Sequence, residues 1–225
     1  FKPETNQHML GGAFLDGKLR VLDLLEKYNV STTLLPVLAR GVNDDEVGAF
    51  VKLALGKKFI RSVELHTMTF TGGNGFEFAR SGRYGTHDVL LDLERQTGGL
   101  LRVGDFVPSP AAHPLCYLVT YLLELPTDRW LPFPRFMTPQ DLRGMLAGVL
   151  YLEPTAAMGA HLADVIARLW RGEQACDAPG VSSDDVLAQL KQLATEAFAP
   201  SVATSDRMRR AERMSKAVYV HSHMD

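Results

Sequence analysis

Arg40, Gly41 and Asn43 fall within four residues of one another in "LLPVLARGVNDDEVGAFV", between an apolar run and an acidic helix start. A guanidinium grips a carboxylate with two parallel donors, glycine lets backbone approach a ligand closely, and an asparagine amide both donates and accepts. The set suits a small charged ligand, and it equally suits a well-capped loop with a solvated arginine. His66 and Thr67 end the next apolar run, "SVELHTMT". Cys116, in "HPLCY", is either a metal ligand or a small buried apolar residue. His113 before it reads as a helix cap or a ligand. His221 and His223 form a His-x-His pair with no third ligand in view. The glycine-rich "TGGNG" at 71–75 is a weak phosphate-loop candidate. Arg207, Arg209, Arg210, Arg213 and Lys216 spread around a predicted helix as a solvated face or a phosphate-binding one. Cys176 reads as an incidental loop residue.

The candidates need elements to position them. Residues 33–38 are β-rich and apolar and predict a strand buried on both faces. Asn43 followed by Glu46 predicts a capping box, and Val47, Phe50, Val51 and Leu55 recur at helical spacing. Residues 62–69 alternate as a second strand, and 18–28 predict a helix laying Leu19, Leu22 and Leu25 on a sheet. Helix, strand, helix, strand with short connections implies a parallel α/β sheet, whose carboxyl edge is where ligands bind. Residues 70–85 read as a functional loop or lid, followed by a helix starting at Thr86 and stopped by Gly98 and Gly99. Beyond about residue 105 the chain is expected to be mainly helical, with a dense apolar helix from about Pro114. A capped helix at Thr138 follows, then helices over 155–171, 183–198 and 206–216 and a terminal strand. The division is 1–103, an α/β part, and 104–225, a mainly helical extension ending in a strand.

Composition narrows the classes. The chain has 225 residues, 46% hydrophobic, with a net charge of −2. That balance gives no pull toward nucleic acid. The apolar run at 115–123 is far shorter than the roughly 20 residues that span a bilayer. Two distant cysteines argue against a disulfide framework and for a reducing compartment. The expected location is cytoplasmic, with or without association at a membrane surface. The chain opens on Phe and ends in a strand-like run, so it reads as an internal segment of a longer protein.

"LLPVLARGVNDDEVGAFVKLAL" followed by "VELHTMTFTG" resembles the fifth and sixth β/α units of a radical S-adenosylmethionine barrel. "DFVPSPAAHPLCYLVTYLL" is similar to the branch containing the archaeal tetraether lipid synthases and methylases of a hydroxymethyl-dihydropterin. The resemblance covers most of 1–125, resumes at "SKAVYVHSHMD" and is weak over 126–200. It implies a partial (β/α) barrel followed by an α-helical extension. It also implies S-adenosylmethionine and a [4Fe–4S] cluster as cofactors, an electron donor, and a small-molecule or lipid substrate. The implied reaction is homolytic cleavage to a 5′-deoxyadenosyl radical that functionalises an unactivated carbon, by C–C bond formation on lipid chains or by methylation of a pterin precursor. Arg40, Gly41, Asn43, His66 and Thr67 would line the S-adenosylmethionine pocket, and Cys116 would match an auxiliary-cluster cysteine. The family's CxxxCxxC loop is absent, so the cluster ligands are expected in the remainder of the protein's chain, and the segment alone is expected to be inactive. Ala111 and Ala112 stand where relatives carry a second auxiliary cysteine. The rival is a non-enzymatic helical binding module on a degenerate α/β half.

Overall fold

The computed structural model describes residues 1–70 and 82–222. It is a mixed α/β fold built on one open sheet with the strand order β1-β3-β7-β5-β4, where β2 also pairs with β3 and β6 with β5. In chain order the strands are β1 (Thr32–Leu34), β2 (Val37–Leu38), β3 (Ile60–Thr67), β4 (Val107–Pro108), β5 (Tyr117–Leu125), β6 (Arg129–Pro132) and β7 (Ser215–His221). The helices are α1 (Pro3–Leu10), α2 (Leu15–Lys27), α3 (Val47–Gly56), α4 (Thr86–Gln96), α5 (Pro139–Met145), α6 (Ala156–Trp170), α7 (Ser183–Ala197) and α8 (Thr204–Met214).

The terminal strand β7 lies in the middle of the sheet, parallel to β3 and antiparallel to β5. The sheet therefore draws strands from both sides of residue 103. One face packs on α3 and α4 through Val63, Leu65, Leu122, Val218 and Val220. The other packs on α5, α6 and α7 through Val119, Tyr121, Leu123, Ala217 and Tyr219.

The apolar helix expected from Pro114 is instead β5. Its residues alternate between the two cores, Tyr117, Val119, Tyr121, Leu123 and Leu125 toward one and Leu118 and Leu122 toward the other. A strand buried on both faces reads as a continuous apolar run, which periodicity alone does not separate from a buried helix. The strand expected at 33–38 is split at Leu35-Pro36 into β1 and β2, and it is an edge rather than a doubly buried strand. Proline has no N–H for a ladder, and Leu35 and Val37 are exposed. Helix α2 buries none of its residues, although Leu22 and Leu25 pack partly on the core.

The helix starts at Thr138 and Ser182 form as expected, each side chain accepting a bond from the amide three residues on. The helix expected to start at Thr86 does so, and its N-cap is Gly85, whose amide donates to Asp88 Oδ2 at 3.0 Å. Lys216 is not on a solvated helix. It is 1% exposed in β7, and its ammonium donates to the carbonyls of Lys57 and Ile60. Burial, then the nearby Lys58, pull its pKa down to about 8. Among the described residues, no helix is long and apolar enough to cross a membrane.

The exposed edge leads to an expected result. The isolated chain should self-associate through β1 and β2, whose outer backbone groups take no strand among the described residues. Leu35→Lys should shift it toward monomer in sedimentation velocity. A monodisperse parent chain at high concentration would contradict this.

Candidate functional site at the carboxyl rim of the sheet

Strand β2 runs parallel to the end of β3, with Val37 opposite His66 and Leu38 opposite Thr67. The turn after β2 and the end of β3 therefore share one rim. Gly41 has φ +72°, a conformation that favours glycine, and a Cβ built there meets nothing within 4 Å. Its amide donates to Asp44 Oδ2 at 2.9 Å.

Asn43 fixes the turn. It is 4% exposed, its Oδ1 accepts from the Ala39 amide at 2.8 Å, and its Nδ2 donates to the Val37 carbonyl at 2.8 Å. The capping box expected with Glu46 does not form: Asn43 makes no side-chain cap bond. Glu46 instead accepts from the Lys2 amide at 3.0 Å and the Thr5 hydroxyl at 3.2 Å. The Asn43 Oδ1 is turned back to the Ala39 amide on the strand side rather than to the helix start.

The Arg40 guanidinium leans toward the first turn of α4. Nη2 donates to Asp88 Oδ2 at 2.7 Å, Nε to the Arg83 carbonyl at 3.0 Å, and the group lies 5.6 Å from the Tyr84 ring centroid. The fork that a ligand carboxylate would take is thus held by a carboxylate of the chain. Both partners are more than one-third exposed, so Arg40→Ala should cost at most about 1 kcal/mol of folding stability. A larger loss in a denaturant titration would contradict that surface character.

His66 points to the opposite face of the sheet. Its register partner across β7 is His221, and the two rings meet edge-on at 4.8 Å between centroids. His66 Nε2 lies 3.6 Å from Glu64 Oε2. Glu64, 7% exposed, also accepts from the Tyr117 hydroxyl at 3.1 Å and from the Tyr151 hydroxyl. Tyr117 packs on His221 at 4.6 Å and on Tyr219 at 5.3 Å between ring centroids. The His66 ring beside it holds the Glu64 pKa below its usual 4.5; burial opposes this, and the hydrogen bonds from Tyr151 and Tyr117 reinforce it. The five rim residues thus form two groups: Arg40, Gly41, Asn43 and Thr67 around the β2 turn, and His66 with Glu64 across the sheet.

The carboxylate–aromatic group was only half visible in the sequence. Glu64 and His66 alternate on one strand, but Tyr117, Tyr151 and His221 join them through pairings that span up to 157 positions from Glu64 to His221. An acidic residue inside an apolar β run was the available signal.

Because the Glu64 pKa is lowered on folding, its contribution to stability is present above pH 4.5 and is lost as pH falls through the lower folded value. Glu64→Gln should flatten that acid limb in urea titrations between pH 6 and about 3. An unchanged limb would show that Glu64 is not held ionised by its neighbours.

Cys116 Sγ lies 3.6 Å from His113 Nδ1. No group of three or more His, Cys, Asp or Glu side chains that could hold a metal occurs among the described residues. A [4Fe–4S] cluster takes three or four thiolates, and Cys116 and Cys176 do not supply them, so these residues do not fit a cluster. His223 and "TGGNG" lie outside the described residues, as does most of the expected lid.

No protein-family model matches the chain. Over 114 residues, half of this chain, it is 32% identical to a protein of Methanocaldococcus jannaschii named 7,8-dihydro-6-hydroxymethylpterin dimethyltransferase. That relative is named as a transferase. The matched stretch is 22% of that relative's length.

Proposed function

We propose that this chain is part of a radical S-adenosylmethionine enzyme that transfers a one-carbon unit to a pterin-like heterocycle. The observation that carries the reading is the similarity to the pterin dimethyltransferase, together with the barrel-like sequence of residues 32–69. The geometry of the rim supports that reading. Gly41, open on one side and adjoining the Thr67 strand end, would admit part of S-adenosylmethionine, while Asn43 and the Arg40–Asp88 pair would hold the turn in position.

In this reading β1 to β3 belong to a (β/α) barrel, and a further β/α unit of the same protein covers the β1 edge. The groove there, of about 870 Å³, runs between α1, α2 and β1 and is lined by Leu22, Leu25, Leu34 and Phe50. Leu19, Val21, Leu24 and Leu35 stand exposed beside it. Cluster ligands and the electron donor would likewise come from outside these residues.

Lipid chemistry has less support. The apolar helix expected from about Pro114, which could have lined a lipid tunnel, is the core strand β5, with Val119, Leu122 and Leu123 wholly buried. The substrate class is tested by equilibrium binding to the full-length protein. Saturable binding of 6-hydroxymethyl-7,8-dihydropterin is expected. Binding of an isoprenoid lipid and not of the pterin would overturn the reading.

A further inference from the structure

Four of the chain's six tyrosines gather on one face of the sheet. Tyr219 is at the centre, with ring centroids 5.3 Å from Tyr117, 5.5 Å from Tyr151 and 6.4 Å from Tyr121. Their hydroxyls have different partners. Tyr117 and Tyr151 both donate to the Glu64 carboxylate. Tyr219 donates to the Leu150 carbonyl at 2.6 Å, and Tyr121 meets the Tyr219 hydroxyl at 3.0 Å.

We propose that Tyr117 and Tyr151, sharing the Glu64 carboxylate, form a redox-active pair that gives up an electron and a proton together. Removing an electron from a phenol makes its O–H strongly acidic, so a buried tyrosine is oxidised readily only where a base already holds that proton. Glu64 is such a base, and it is kept ionised by its neighbours. A backbone carbonyl is a poor base, so Tyr219 stays a phenol and serves as a ring contact between the pair.

The step balances. One electron leaves the ring for the oxidant, the phenolic O–H breaks, and the proton bonds to a Glu64 oxygen. A neutral tyrosyl radical and a neutral carboxylic acid remain. The physiological oxidant is a carbon-centred radical. It gains the electron together with the proton that Glu64 holds, so a C–H bond forms without a free carbanion and the carboxylate is restored. Only this oxidant rests on the radical reading above; the pair's behaviour does not.

The test uses the full chain with Tyr28→Phe and Tyr84→Phe, since Tyr28 is exposed and Tyr84 donates to Asp92 at 2.6 Å, a second phenol–carboxylate contact. Flash-generated tris(bipyridine)ruthenium(III) serves as the oxidant, and freeze-quenched EPR with ring-deuterated tyrosine reads the radical. A tyrosyl signal is expected, formed at a rate independent of pH from about 6 to 9, as for an internal base ionised throughout that range. Glu64→Gln should slow it by about 100-fold, the usual scale for losing a positioned base. Tyr117→Phe with Tyr151→Phe should abolish it. Absence of the signal in the parent chain, or a rate that climbs with pH and ignores Glu64→Gln, would overturn the proposal. The pH profile of the parent chain decides even if a variant fails to fold. A radical of this kind in a full-length protein that releases no 5′-deoxyadenosine would leave the pair standing and remove the radical-enzyme reading.

Discussion

Asn43→Ala is expected to destabilise the protein by about 2–4 kcal/mol, because it strips partners from two backbone groups at once. The Ala39 amide, in a residue 2% exposed, loses its acceptor, and the Val37 carbonyl loses its donor. Water does not easily reach the first of these, so its desolvation cost is left uncompensated. Asn43→Asp keeps the acceptor and loses the donor, and should fall between the parent and alanine. The same bonds set the turn beside Thr67, so under the proposed function affinity for S-adenosylmethionine in the full-length protein should fall along with stability. Urea titration of the three forms checks the order. Equal stability of parent and alanine variant would mean that the turn holds itself without the side chain.

Replacing Arg135 is expected to have the largest effect on folding. Its guanidinium is 8% exposed and meets Asp105 with both prongs, Nε to Oδ1 at 3.2 Å and Nη2 to Oδ2 at 2.8 Å. Nη2 also reaches the carbonyls of Gly99 and Leu100 at 2.9 and 2.8 Å. Arg135→Ala leaves a buried carboxylate and two carbonyls without their cation, at about 3–5 kcal/mol. For a chain of this size that is a fall in Tm of roughly 10 °C. The pair itself need not be strongly stabilising, since burying both charges is costly. Arg135→Met with Asp105→Leu should therefore recover much of the loss. If the double variant is no better than Arg135→Ala, the carbonyl contacts matter more than the ion pair.

Much of the first hundred residues was legible because its signals are local. The helix after Asn43, the strand ending at Thr67 and the glycine stop at 98–99 each depend on neighbours a few positions away. The same holds for the caps at Thr138 and Ser182. The errors share another cause. Strand β5 looked helical because both its faces are buried, and 33–38 looked buried because an edge strand can be as apolar as a central one. Lys216 looked solvated because nothing in the sequence says that β7 inserts between β3 and β5. At the rim, the turn could be read from residues 40–43, but the use of Asn43 for the strand rather than the helix depends on where Val37 and Ala39 point. The Glu64 group was hidden because its tyrosines arrive from β5 and from a loop after α5.

The central claim is that these residues serve a radical S-adenosylmethionine enzyme acting on a pterin-like substrate. Anaerobic incubation of the full-length protein with a strong reductant, S-adenosylmethionine and 6-hydroxymethyl-7,8-dihydropterin tests it most directly, with products read by mass spectrometry. The account predicts release of 5′-deoxyadenosine together with a methylated pterin. A methylated product accompanied by S-adenosylhomocysteine alone, with no 5′-deoxyadenosine, would contradict it.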